Sequence, residues 1–176
     1  FRYEIKAANP EGKELEYRIE DNVLNIYEKE KDTTKIIVPS SLETISDNAF
    51  RYYWGLEEFE VADNNPYFYA ENGILYNKDQ TRLIRFPAAS PIVNYAFPNT
   101  ITSTSPWAFC NCQYLYSVKM NNELLELGAA AFKGCKKLST VAFSTGISNL
   151  NSCVYTNLSG AKGNSEIEGT FEGCDS

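Results

Sequence analysis

"LLELGAAAFKGCKKLSTVAF", residues 124 to 143, decides the fold, because its apolar frame is repeated elsewhere in the chain. The frame is Leu124, Leu127, Ala131, Phe132, Cys135, Leu138, Val141 and Phe143. Subtracting 23 gives Ile101, Thr104, Ala108, Phe109, Cys112, Leu115, Val118 and Met120, and seven of the eight positions stay apolar. A further 59 residues back stand Leu42, Ile45, Ala49, Phe50, Tyr53, Leu56, Phe59 and Val61, with Tyr53 where the other copies carry Cys. Twenty-three residues forward, Ile147, Leu150, Val154, Tyr155 and Leu158 keep the frame before it decays at Ala161 and Asn164, a weak fourth copy. Thr170-Phe171-Glu172-Gly173-Cys174 then restates the Ala131 to Cys135 core, so the sequence is expected to stop mid-repeat.

A period in this range indicates stacked supersecondary units. In each copy the tail L-x-x-V-x-[apolar] alternates at period 2, as a half-buried strand does, so one strand per repeat follows. A coil of about 23 residues cannot bury its own apolar side, so the copies must stack into a continuous core beneath a parallel sheet with strands about 4.8 Å apart. Ala before Phe suits a tight convex turn in which Phe fills the interior, and Cys packs as a small hydrophobe.

The unit, with its A-F-x-x-[CY]-x-x-L core, resembles the BspA-type leucine-rich repeat, the LRR_5 class, found mainly in bacterial surface proteins and in some parasitic protists. Val38-Pro39, ahead of the Leu42/Ile45 turn, is similar to family strands that end in apolar-Pro. Residues 65 to 87, "NPYFYAENGILYNKDQTRLIRFP", resemble the hairpin that interrupts such arrays, which accounts for the step of 59. The resemblance covers residues 36 to 145 well, the tail poorly, and the first 35 residues only as a cap. Three departures stand out: Thr104 at an apolar position, Ser103-Thr104-Ser105-Pro106 without the usual Gly, and erosion around Tyr155.

The expected architecture is an α/β solenoid of about 23-residue repeats with a parallel sheet on one face, an N-terminal capping hairpin and an inserted β-hairpin. Residues 1 to 35 form the cap, where Leu15 to Ile19 and Val23 to Tyr27 alternate around an Asp21-Asn22 turn. Residues 36 to 158 form the solenoid with the insertion at 65 to 87, and 159 to 176 a Gly/Ser-rich tail of weak order with a truncated repeat. Inside the insertion, Asn72-Gly73 and Asn77-Lys78-Asp79 set off Ile74-Leu75-Tyr76 and Arg82 to Phe86, read as two antiparallel strands protruding from the array. Residues 93 to 98 resume the solenoid strand.

Composition narrows the chemistry. The chain has 176 residues, 16 Lys+Arg against 23 Asp+Glu, a net charge of -7 and no His. The acidic balance disfavours nucleic acid and anionic membranes. The missing imidazole removes Ser-His and Cys-His nucleophile pairs, an imidazole base and every His-bearing metal site. No apolar run approaches the roughly 18 residues of a membrane span. The five Cys cannot all pair internally. Cys112, Cys135 and Cys174 share one repeat letter and read as inert core thiols. A bridge between neighbouring coils is geometrically conceivable, with Cys110 and Cys153 the least constrained. Phe1 is not preceded by a targeting signal, which would lie outside this sequence. No cofactor and no metal are expected, and Asp63-Asn64-Asn65 and Asn77-Lys78-Asp79 are turns rather than calcium loops. The sequon Asn157-Leu158-Ser159 matters only in a eukaryotic secretory setting.

Two surfaces are candidates for binding. Glu58 and Glu60 share a face with Ser117, Lys119 and Thr140 in the columns of later copies, and that solvent-facing row is the extended surface solenoids present to ligands. Read as the paired acids of a glycosidase, with Glu43 and Glu57 nearby, they find no recurring partner. Tyr52, Trp54, Tyr67, Tyr69 and Tyr116 are aromatics with an expected contact role. With the resemblance, these features imply a non-enzymatic, monomeric, extracellular or cell-surface module that binds or adheres to a protein or host ligand. The alternatives are glycan capture on the clusters at Tyr52 to Trp54 and Tyr67 to Tyr69, or a spacer.

Overall fold

The computed structural model describes residues 33–143 except Asn48, and the backbone of four further segments, 6–8, 18–20, 23–25 and 149–150. Its strands are short because each coil turns a corner every few residues. In chain order they are β1 Lys6–Ala8, β2 Arg18–Glu20, β3 Val23–Asn25, β4 Lys35–Val38, β5 Thr44–Ile45, β6 Glu58–Val61, β7 Phe68–Glu71 and β8 Ile74–Asn77. They continue with β9 Arg82–Arg85, β10 Asn94–Ala96, β11 Ser103–Thr104, β12 Ser117–Lys119, β13 Glu126–Leu127, β14 Thr140–Ala142 and β15 Asn149–Leu150.

Among the described residues five coils start, at β4, β6, β10, β12 and β14. On the first face β4 pairs in parallel with β6, Lys35 opposite Glu58. Further along, β10, β12 and β14 pair in parallel, with Asn94, Ser117 and Thr140 in one row. The second face is the parallel run β9, β11, β13, β15. The 23-residue step of the sequence is thus the register of the sheet. The weak fourth copy contributes β15, where Leu150 sits opposite Leu127; its remainder and the tail, with Cys153 and Cys174, lie outside the described residues.

The cap is an antiparallel β2–β3 pair, Glu20 opposite Val23, and β3 continues in parallel onto β5. A strand not foreseen from the sequence, β1, lies antiparallel along β4. Two sheet edges at the start of the array are thereby covered, as solenoid ends require.

The described residues contain no helix, which corrects the α half of the α/β expectation. In the convex turns the backbone bonds from coil to coil: the N–H of Trp107, Phe109 and Asn111 donate to the carbonyls of Ala129, Ala131 and Lys133 at 2.9, 2.7 and 2.8 Å. Trp107 and Asn111 also adopt left-handed φ of 60° each. A helix needs those N–H groups for itself and right-handed φ throughout.

The repeat frame is the core. Phe86, Phe109 and Phe132 stack, with ring centroids 5.1 and 4.6 Å apart, and all are essentially inaccessible. Phe143, at the end of the frame, is 37% exposed. The Cys column has a directional role: the thiol of Cys135 donates to the carbonyl of Phe109 at 2.9 Å, and that of Cys112 points at the carbonyl of Phe86 at 3.9 Å. Thr104 departs from the apolar pattern because its buried hydroxyl accepts the N–H of Gly128 at 2.9 Å. A Cβ on Gly128 would strike the carbonyl of Ser105, so glycine is needed there by close approach. Ser105 itself follows coil 2, whose turn is missing.

That missing turn is the work of the insertion, which does not protrude. β7, β8 and β9 form an antiparallel set, and the Asn72-Gly73 tip, both residues at positive φ, presses on β6, where the carbonyl of Gly73 accepts the N–H of Phe59 at 2.8 Å. A Cβ on Gly73 would lie 2.9 Å from Cβ of Glu58. All three of Ile74, Leu75 and Tyr76 are buried: Ile74 and Tyr76 join the core of coils 3 to 5, while Leu75 joins Ile36, Phe50, Phe59 and Phe68 in the core of the first coils. The protruding-hairpin expectation fails because an apolar run buried on both faces belongs between two cores. Likewise β9 is a solenoid strand of the second face.

In place of an A-F-x-x-C turn, coil 2 supplies Arg85 and Pro87 to Ser90. Arg85 is fully buried, and its guanidinium donates to the carbonyls of Trp107, Phe50 (3.2 Å) and Cys110 (3.5 Å), joining the turns of coils 1 and 3. Burial pushes its pKa below the ordinary arginine value, and these carbonyls offset the desolvation. Arg85→Ala removes three charge-assisted hydrogen bonds to buried carbonyls, each worth about 1 kcal/mol or more. Urea unfolding is expected to show a loss of about 3 kcal/mol or more, with Arg85→Lys intermediate because an ammonium cannot fork across the same gap. An unchanged midpoint for Arg85→Ala would contradict the bridging role.

Candidate functional site

The outward residues of the first face stand in register, but not as one surface. Asn94, Ser117 and Thr140 form one row and Ala96, Lys119 and Ala142 the next. Asn94, Lys119 and Thr140 are exposed and Ser117 is half-buried, its hydroxyl 2.6 Å from Oδ1 of Asn94. Glu58 and Glu60 lie on β6 in a separate sheet with β1 and β4. The Asn72-Gly73 tip touches β6 on one side, and a cleft of about 550 Å³, lined among others by Glu71, Ile74, Tyr76, Asn94 and Tyr95, lies between the hairpin and β10. The insertion therefore divides the face that the repeat columns suggested was continuous.

Glu58 and Glu60 are joined by one cation. Lys35 Nζ sits 3.1 Å from Glu58 and 2.6 Å from Glu60, and these two carboxylates, Glu60 foremost, raise the pKa of Lys35. An ammonium between two surface acids is the arrangement of a solvated ion cluster. It lacks the unequal environments that set acid and base apart in a hydrolase.

The aromatics fall in three places. Tyr52 and Trp54 sit on the turn of coil 1, each 39% exposed. Tyr67 is exposed ahead of β7, while Tyr69 is half-buried with its ring 6.5 Å from that of Tyr76. Tyr116, the most exposed at 51%, precedes β12. They do not converge. The sequence reading missed Trp107, which carries the guanidinium of Arg51 at 3.6 Å and the ammonium of Lys133 at 5.7 Å from its ring centre. The signal available was positional, since Arg51, Trp107 and Lys133 all lie within one residue of the A-F pair.

Cys110, Cys112 and Cys135 are free, buried thiols. Burial pushes the Cys110 thiol up, against the opposing pull of Arg85, Arg51 and Lys133, so it is not a poised nucleophile. The turn asparagines are occupied too. Asn65 donates to the carbonyls of Pro39 and Leu42 at 2.7 and 3.2 Å and accepts from Tyr67 and Phe68. Asn77 caps its own turn through Thr81 and Arg82.

The BspA type leucine rich repeat region model matches residues 16–79 and 85–174 in six copies. The chain belongs to the BspA-type leucine-rich-repeat family. The match extends beyond the 36 to 145 span seen from the repeat frame, into the cap and through the tail. Among solved structures the chain is similar to the pneumococcal vaccine antigen PcpA, with 27% identity and TM-score 0.64 over 66% of this chain and 29% of that one. It is also similar to a leucine rich cell surface protein of Faecalibacterium prausnitzii A2-165, with 30% identity and TM-score 0.60 over 65% of this chain and 31% of the other. A leucine-rich repeat protein of Eubacterium ventriosum shares the fold at 24% identity and TM-score 0.54, covering 64% of this chain and 37% of that one. The chain thus spans about a third of the length of these neighbours. No curated protein matches it at a comparable level.

In this BspA-type array the cleft beside the hairpin is closed at its base by two tyrosines, whose hydroxyls lie 3.1 Å apart. Burial raises the pKa of both Tyr76 and Tyr95. Folding therefore favours their neutral forms, and stability is lost as pH rises past the unfolded tyrosine value of about 10. The urea midpoint is expected to hold from pH 7 to 8, slip slightly as the unfolded cysteine value of about 8.5 is passed, and fall more steeply above pH 9. The slope is at most about 1.4 kcal/mol per pH unit for each tyrosine, with Lys35 and Cys110 adding in the same direction. The Tyr76→Phe/Tyr95→Phe double variant should flatten it, and an equally steep loss in that variant would place the alkaline sensitivity elsewhere.

Proposed function

We propose that this chain is a non-enzymatic module of a cell-surface protein that binds a protein ligand through the outward rows of coils 3 to 5. The observation that supports this is the register of Asn94, Ser117 and Thr140 beside Ala96, Lys119 and Ala142. Apart from Lys119 these are short side chains, mostly exposed, that contribute nothing to the core. Their spacing is set by the ladder, so they form a rigid array that loses little entropy on binding. A specific interface takes about 800 Å² of each partner. Three strands are extended toward that by Val93 and Tyr116, 46% and 51% exposed at the leading ends of β10 and β12. Tyr116 supplies the kind of aromatic anchor that dominates interface energetics. Glu58 and Glu60, committed to Lys35 and beyond the hairpin, flank this surface.

The family and its neighbours are repeat scaffolds, and two of those neighbours are described as a vaccine antigen and a cell surface protein. Surface location and adhesion to a host ligand are carried over from them. Capture from serum and extracellular matrix, run with the parent and a Ser117→Arg/Thr140→Arg variant, tests the reading. A protein retained by the parent is expected to bind the variant at least about tenfold more weakly, which corresponds to about 1.4 kcal/mol. Glu58→Ala/Glu60→Ala should leave capture intact. Equal capture by the row variant would remove this face from consideration.

A further inference from the structure

The turn edge of the solenoid differs in charge from the rest of the molecule. Residues 47–55, 106–114 and 129–137, the turns of coils 1, 3 and 4 in one frame, carry Arg51, Lys133, Lys136 and Lys137 against a single acid, Asp47, in a chain of net charge -7. Because coil 2 lacks the corresponding turn, its neighbours stand apart, held from within by Arg85. A groove of about 690 Å³ runs along the remaining turns, lined by Trp54, Asn111, Gln113, Lys136 and Lys137 with Gly55 and Gly134.

Each lining group has recognisable binding chemistry. Trp54 is 39% exposed, and the amide of Gln113 donates to its carbonyl, fixing the two turns against each other. Lys136 and Lys137 are exposed. The ammonium of Lys137 lies 5.0 Å from the ring centre of Tyr114, which is 43% exposed. Among the described residues the ion pairs join Lys35 to Glu58 and Glu60, and no described carboxylate is paired with Lys136 or Lys137. An indole offers a flat apolar surface for the C–H face of a sugar ring, and neighbouring amides suit hydroxyls. The turn N–H groups at 107, 109 and 111 are bonded to the next coil, so coil 3 offers no free donors there for a peptide strand to pair with.

We propose that this groove is a second binding site, for an acidic saccharide whose pyranose ring lies on Trp54 and whose carboxylate or sulfate groups pair with Lys136 and Lys137. The site is separate from the sheet rows, so each stands or falls without the other. A mixed site of ring and ammonium discriminates by both parts: a neutral sugar forfeits the ion pairs, and an acidic peptide forfeits the stacking. The ion pairs are surface ones, so affinity should decline as salt is raised.

Titration calorimetry of the 176-residue chain, with tryptophan fluorescence in parallel, would use galacturonate oligomers for the carboxylate and chondroitin sulfate oligosaccharides for the sulfate. Neutral dextran and polyglutamate serve as comparators. At least one acidic saccharide should bind with a Kd of about 1 mM or tighter, and at least tenfold more tightly than dextran or polyglutamate. Lys136→Gln/Lys137→Gln, at exposed positions where folding is not at stake, should weaken binding at least tenfold, and Trp54→Ala should abolish the fluorescence change. Lys119→Gln and the Ser117→Arg/Thr140→Arg variant should bind as the parent does. The proposal is overturned if no acidic saccharide binds at 10 mM, if polyglutamate binds as tightly, or if the lysine pair can be replaced without loss.

Discussion

The constraint on which this molecule rests is that strands of two to four residues cannot satisfy their own backbone, so each coil depends on the coil before and after it for hydrogen bonds. The ladder extends beyond the two sheet faces into the turns, where alternate N–H groups at 107, 109 and 111 donate to the next coil. Once the backbone repeats at 23 residues, the side chains must stack in columns. A column can be filled only by residues that pack on copies of themselves, such as Phe on Phe, or that bond to the neighbouring backbone, such as Cys. A helix in the turn would withdraw those N–H groups from the ladder, which is why the convex side is built from turns.

The buried polar groups can be understood from the same constraint, since each lies where the ladder is short of a partner. Asn121 donates to the carbonyls of Pro98 and Ile101 and accepts the N–H of Glu123, tying one coil's corner to the last. Asn65 does the same for coils 1 and 2. Thr104 replaces an apolar residue to receive Gly128. Arg85 spans the largest gap, left when the insertion removed a whole turn. Neutral groups suffice where one or two carbonyls receive a donor; a forked cation appears where three carbonyls from two coils face a common space. Continuity is kept beside it by single bonds, Ala89 N–H to the carbonyl of Leu56 and Gln113 N–H to that of Ala88, at 2.7 and 2.8 Å.

The columns were legible because burial imposes a period that composition cannot hide. Leu42, Ala49, Phe50, Tyr53, Leu56 and Phe59 are all buried, as are all eight frame residues from Ile101 to Met120. Thr104 was visible as a departure, but its cause lay in a partner 24 residues away. The insertion was legible as strands and turns, Asn72-Gly73 included, and illegible as to place: alternation says which side chains share a face, not what that face meets. Ile74-Leu75-Tyr76 carried the missing clue, a run apolar at every position, which fits a strand with core on both sides. From that misplacement followed the single continuous face that joined Glu58 and Glu60 to Ser117, Lys119 and Thr140. The turn edge was harder still, because its cations sit beside repeated core letters, and Arg51 and Trp54 reach the turn of coil 3 only because coil 2 drops out of the row.

Outside the core, the repeat leaves each coil two kinds of free position, the outward strand residues and the outward turn residues, and charge is distributed between them unevenly. On the first face Lys35 is shared by Glu58 and Glu60, so that part of the sheet is partly compensated within a few ångströms and keeps one net negative charge. On the turn edge Arg51 and Lys133 are drawn over the ring of Trp107, where a π face softens their charge without cancelling it. Lys136 and Lys137 share the three turns with one carboxylate, Asp47. A positive edge on a negative molecule concentrates attraction in one groove and repels long polyanions everywhere else. Such selectivity by surroundings requires the groove to be a defined shape, and that shape is the turn the insertion displaced. The hairpin that divides the sheet face and the gap that opens the turn edge are thus two results of one departure from the 23-residue period.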